Sequence, residues 1–163
     1  MMSILFICTG NTCRSPMAEA LLKEELRQAG IDENQISVHS AGIYAAEGEK
    51  ATPQAVQVME ERSIPLKDHL SRRLTPRCIN EAHLILGMTE AHRDAVLMVD
   101  AAAADRVFSL PEYVAEPGET QWQDVPDPYG QALAVYRRTA DNLQVMIRKL
   151  MEKLKQERMV EGP

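Results

Sequence analysis

Along this chain, short apolar runs alternate with stretches whose apolar positions recur every three or four residues. Ser3 to Cys8 is a β-rich apolar run of the kind expected for a central strand of a parallel sheet. Arg14 to Ala29 reads as a helix. Met17, Ala20, Leu21 and Leu22 share one side of it, Pro16 suits its first turn and Gly30 its C-terminal stop. Ile36 to Ser40 predicts a second strand. Thr52 followed by Pro53 marks an N-cap and a first helical residue, opening a helix to about Arg62. Thr75 and Pro76 repeat that signal for a short helix. Ala82 to Met88 predicts a third strand, Thr89 opens a helix to about Val99, and Arg106 to Leu110 predicts a fourth strand. Ala101 to Ala104 reads as a loop or a helix end. A polar loop with Pro111, Pro117, Gly118, Pro126 and Pro128 follows.

The last element is long. Leu133, Tyr136, Ala140, Leu143, Ile147, Leu150 and Leu154 recur at three- and four-residue steps and make one apolar helix face. A coiled-coil seam would look similar, but three heptads are few, so packing on the core is expected ahead of a partner interface. Strand and helix alternate throughout, so the expected fold is α/β, a parallel sheet with helices on both faces. Ligands of such sheets bind at the carboxyl ends of the strands. The first strand ends at Cys8.

Composition narrows the function. The chain has 163 residues, 45% apolar and 26% charged, which suits one globular domain over 1–163. Its net charge is −6, the opposite of what a nucleic-acid-binding surface needs. The three cysteines, Cys8, Cys13 and Cys78, are an odd number and predict free thiols in the cytoplasm rather than a disulfide framework. The apolar run Ile4 to Ile7 lacks a basic flank and is far too short to span a membrane, so neither an export signal nor a membrane partner is expected.

The chemistry gathers after the first strand, in Cys8-Thr9-Gly10-Asn11-Thr12-Cys13-Arg14-Ser15-Pro16. A strand-to-helix loop presents unpaired N–H groups and the positive end of a helix dipole, a ready anion site. That setting, with an arginine nearby, lowers a cysteine pKa, so Cys8 is expected to be an ionised nucleophile. Arg14 offers a planar fork for two phosphoryl oxygens. Ser15 can donate to the cysteine sulfur, Asn11 can shape the loop through its amide, and Gly10 can let the backbone curl close to a ligand. Thr9, Thr12 and Cys13 complete the substrate-binding loop. Cys13 is also placed to capture an oxidised Cys8 as a reversible disulfide. His39, His69, His83 and His92 show no metal-ligand spacing and read as structural or surface residues.

These residues resemble the low-molecular-weight protein-tyrosine phosphatase family. The anchors are CTGNTCRSPMAEA at 8–20, Ser40-Ala41-Gly42 after the second strand, and Asp124-Val125-Pro126-Asp127-Pro128-Tyr129 late in the chain. The resemblance implies a four-stranded parallel sheet, no metal or other cofactor, phosphorylated proteins as substrates and a phosphocysteine intermediate. It also implies Asp127 as general acid, with Asp124 its nearest rival, and Tyr129 as a cleft wall. A protonated leaving group and an activated water both require such a carboxylate. Trp122 reads equally as cleft wall or as surface.

Members acting on phosphotyrosine usually carry an aliphatic residue where this chain has Thr12. A threonine there is similar to the protein-arginine phosphatase branch of the family. The hydroxyl can accept a hydrogen bond from a guanidinium, and discrimination by a satisfied polar contact can be large. Three alternatives stand beside this one: a tyrosine phosphatase using the same residues, a thiol redox enzyme of the arsenate reductase type, and a non-catalytic phosphoprotein-docking module. The redox reading needs two further cysteines, and only Cys78 lies outside the loop.

Overall fold

The computed structural model describes residues 1–157; the end of the expected 1–163 domain lies outside the described residues. The strands are β1 (Met2–Cys8), β2 (Ile36–Gly42), β3 (Leu84–Gly87) and β4 (Val107–Ser109). All pair in parallel, in the order β2-β1-β3-β4. The helices are α1 (Arg14–Gln28), α2 (Pro53–Glu60), α3 (Pro76–Glu81), α4 (Glu90–Val99), α5 (Leu110–Tyr113) and α6 (Leu133–Gln156).

Alternation along β1 sends its side chains to two cores. Ile4 and Phe6 pack with α1, α2, α5 and α6, including Met17, Val58, Tyr113 and Leu143. Leu5 and Ile7 pack on the opposite face with Ile79 of α3 and Val96 of α4. With both faces covered, a central strand must be apolar throughout, which is why β1 reads as a run rather than an alternation. Six of the seven stripe residues of α6 are fully buried and Leu133 packs at the margin, so the stripe is core.

Helix ends follow the local signals. Thr52, Thr75 and Thr89 accept from backbone N–H groups of their first turns. Gly30 has φ of 74° and closes α1, its N–H donating to Arg27 while Ile31 donates to Leu26. Three expectations change. β2 continues through Ser40-Ala41-Gly42 instead of ending at Ser40, because these residues still pair with β1. β3 and β4 are shorter at both ends than the apolar runs. The start of the supposed polar loop is instead α5, because Ser109 and Glu112 form a reciprocal capping box that turns Leu110 into a helix start. Ala101–Ala103 is a single 3-10 turn capped by Asp100. Among the described residues, no helix is long and apolar enough to cross a membrane.

β1 has β2 on one side and β3 on the other, so the chain reverses its winding direction at β1. A crevice opens where the connections from adjacent strands diverge. The loop Thr9 to Cys13 lies there, between the end of β1 and the start of α1.

Candidate active site

Cys8 is buried, and its sulfur is 2.8 Å from the Ser15 hydroxyl and accepts from the Asn11 N–H at 3.3 Å. The left-handed turn of the loop falls on Asn11, with φ of 56°, and not on Gly10. A Cβ at Gly10 would meet only the Thr12 hydroxyl, at 3.7 Å, so tight backbone curvature does not require that glycine. Asn11 is held in its strained conformation from every side. Its amide donates to the Ser15 and Ser40 hydroxyls, both at 2.9 Å, and its Oδ1 accepts from the Arg72 N–H at 2.9 Å. His69 Nε2 lies 2.7 Å from its carbonyl oxygen.

The Ser40-Ala41-Gly42 anchor now has physical content. Ser40 supports Asn11. Gly42 lies so close to the loop that a Cβ there would fall 2.7 Å from the Thr9 carbonyl and 2.9 Å from the Asn11 nitrogen. Only glycine lets the end of β2 pass beneath the loop.

Burial pushes the Cys8 thiol up, against the expectation of a depressed pKa. The Ser15 hydroxyl, the Ser15 N–H, the Arg14 guanidinium and the Asn11 N–H pull it back down, in that order. The N-terminus of α1 adds partial positive charge to the same side. A reactive thiolate thus depends on these donors. Replacing the strongest, by Ser15→Ala, is expected to raise the Cys8 pKa further. The rate of iodoacetamide alkylation against pH reads the midpoint, and an unmoved midpoint removes Ser15 from the argument.

Arg14 is 5% exposed. Its Nη1 donates to the Val125 carbonyl at 3.0 Å, and its Nη2 lies 3.7 Å from Asp127 Oδ2. The same guanidinium therefore holds the loop that carries Asp127 and lines the cleft. The Asp127 side chain is 52% exposed, held by the Tyr129 N–H on its Oδ1 at 3.0 Å. Asp124 is turned elsewhere: its Oδ1 accepts from the Glu90 N–H at the start of α4, at 3.0 Å. Trp122 donates to the Glu90 carboxylate at 3.3 Å and is not among the residues lining the cleft.

Cys8, Thr9, Gly10, Thr12, Cys13, Arg14, Asp127 and Tyr129 line one cleft of about 320 Å³. Asn11 and Ser15 lie fully buried beneath it. Tyr44 and Glu49 also line it and escaped the sequence reading; the sequence offered only an aromatic two residues past Gly42 as a signal. Cys13 occupies the N-cap position of α1 without a side-chain capping bond, and its sulfur is 3.4 Å from the Tyr136 hydroxyl. His69 touches the loop and His83 accepts from the Ser3 N–H at 2.9 Å, both as supports. The arrangement can hold an anion against a nucleophilic sulfur, with a carboxyl group lining the same cleft to supply a proton.

Residues 3–160 match the family described as low molecular weight phosphotyrosine protein phosphatase. A protein-arginine-phosphatase of Bacillus subtilis is 41% identical, over 96% of this chain and 99% of its own length. The low molecular weight protein-tyrosine-phosphatase PtpB of Staphylococcus haemolyticus is 34% identical, over 91% and 97%. Among solved structures, the YwlE arginine phosphatase, as a cysteine-to-serine mutant with a phosphorylated active-site serine, superposes with a TM-score of 0.89. It is 40% identical and the match covers 98% of this chain and 100% of that one. The chain thus belongs to the low molecular weight phosphotyrosine protein phosphatase family and is a cysteine-dependent protein phosphatase.

Proposed function

We propose that this protein hydrolyses phosphoarginine in proteins through a phosphocysteine formed on Cys8. Cys8 Sγ attacks phosphorus, the P–N bond breaks, and the departing guanidino nitrogen takes a proton from Asp127. The resulting carboxylate then removes a proton from water, which attacks the S–P bond and releases phosphate and the thiolate. Arg14 and the N–H groups of the loop stabilise charge on the phosphoryl oxygens in both steps. Residues 1–157 act as one domain in this reading. Three free thiols favour a reducing, cytoplasmic setting.

The observation that carries the arginine assignment is the polar side of the cleft. Thr12 and Glu49 place a hydroxyl and a carboxylate along it, beside Asp127, which enters the reaction protonated. These acceptors suit a cationic group rich in N–H donors and have nothing to offer a phenyl ring. The backbone of Thr12 is fixed by the Thr52 N–H on its carbonyl, at 3.0 Å. A second reading, phosphotyrosine, draws on Tyr44 and Tyr129, exposed aromatics at the mouth that could stack on a phenyl ring.

Thr12→Ile tests the choice, because it keeps β-branching and replaces the hydroxyl with apolar surface. It is expected to lower kcat/KM for phosphoarginine peptides and raise it for phosphotyrosine peptides. The ratio should shift about ten- to a hundredfold, the scale of about 1.4–2.7 kcal/mol from an unsatisfied polar contact. An unchanged ratio removes Thr12 as the discriminator. A wild type that already prefers phosphotyrosine overturns the arginine assignment and leaves the phosphatase.

A further inference from the structure

His92 lies 83 residues from the nucleophile loop in sequence, yet its Nε2 is 2.9 Å from the Thr9 hydroxyl. It is buried at the third position of α4, where its Nδ1 accepts from the Thr89 N–H at 3.2 Å. An acceptor at Nδ1 puts the ring proton on Nε2, so His92 donates to Thr9. The charged groups facing the ring are Arg14, Asp124 and Asp127. Burial and Arg14 lower its pKa to about 4, which keeps the neutral, one-proton tautomer across the neutral range.

The same turn holds the acid loop. The Met88 carbonyl accepts from the Val125 N–H at 3.0 Å, and the Glu90 N–H donates to Asp124. Gly87, just before it, has no room for a Cβ, which would lie 2.9 Å from the His92 Cβ. The turn from Gly87 to His92 is therefore packed tightly at the end of β3 and touches both the nucleophile loop and the loop that carries Asp127. Thr9 is gripped on its other side as well, its carbonyl accepting from the Tyr44 N–H at 2.9 Å.

We infer that His92 is a positioning residue which, through Thr9, registers the nucleophile loop against the same α4 turn that anchors the acid loop. Helix capping alone does not require a histidine here. Glutamine at this position reaches back to the cap N–H equally well, being a usual partner in a capping box. A ring with two opposed nitrogens is needed only to cap the helix and hold Thr9 together. The inference rests on Cys8 and Asp127 acting as proposed above.

The test compares His92→Gln, Thr9→Val and the double variant in the full chain. The readouts are kcat and KM for p-nitrophenyl phosphate and the inhibition constant of inorganic phosphate. His92→Gln keeps the cap and loses the Thr9 contact. It is expected to lower kcat about five- to tenfold and weaken phosphate inhibition by a similar factor, the scale of one lost hydrogen bond. Its thermal midpoint should stay near that of wild type. Thr9→Val should reproduce both changes, and the double variant should be no worse than either single one. Losses that multiply in the double variant, or kcat and phosphate inhibition both within twofold of wild type in the single variants, overturn the inference. If His92→Gln fails to fold, Thr9→Val leaves the α4 cap intact and carries the same expectation and refutation. A Cys8→Ser protein that still turns over would instead defeat the assignment on which the inference rests.

Discussion

Cys8→Ser is expected to lower kcat by more than about 10⁴-fold while leaving the fold and phosphate binding in place. Losses of that order accompany removal of a covalent nucleophile. The substitution changes one atom at the end of a buried strand. A hydroxyl can still pair with Ser15 and accept from the Asn11 N–H, the two contacts the sulfur makes. The loop should therefore keep its shape, with Asn11 braced by Ser40, Arg72 and His69 as before. What is lost is ionisation. Cys8 is already pushed up by burial, and a serine hydroxyl, far weaker as an acid than a thiol, cannot be brought to its anion by the same donors. The measurements are steady-state turnover, circular dichroism and phosphate binding by calorimetry. Turnover within tenfold of wild type would remove Cys8 as the nucleophile. Loss of phosphate binding would show that the sulfur itself shapes the anion site.

Asp127→Asn is expected to lower kcat by about 10²–10⁴-fold, the usual scale for a general acid. The guanidino group of arginine is a strong base, so cleavage of a P–N bond without a proton donor leaves a poor leaving group. The loss should be markedly smaller with p-nitrophenyl phosphate, whose leaving group needs no proton. Geometry favours Asp127 over Asp124. Asp127 faces Arg14 across 3.7 Å and lines the cleft, whereas Asp124 is committed to the start of α4. A larger loss from Asp124→Asn, measured on the same substrates, would move the assignment there. Equal losses on both substrate types would give Asp127 a binding rather than a proton-transfer role.

The sequence by itself determined whatever depends on neighbours along the chain. The apolar run of β1, the stripe of α6, the threonine caps and the Gly30 stop are local patterns with local causes, and each element formed where it was expected. Cys8 and Arg14 were legible for the same reason: one strand, one loop and one helix start bring them together. The ends of β3 and β4 were less so, because pairing with neighbours, not hydropathy, decides where a strand stops. Only the tertiary structure decided what crosses the chain. For Asn11 a loop-shaping amide was legible but its partners were not; they include Ser40, 29 residues away, and Arg72, 61 residues away. The different partners of Asp124 and Asp127, the half-buried place of Trp122 against Glu90, the entry of Tyr44 into the cleft and the contact of His92 with Thr9 follow in the same way. Asp124 and Asp127 carry identical chemistry and differ only in which partner the folded chain sets before them. The Cys8 thiol shows the limit most clearly. The loop's donors could be read from residue types, but the desolvation they must offset exists only once both sheet faces are covered.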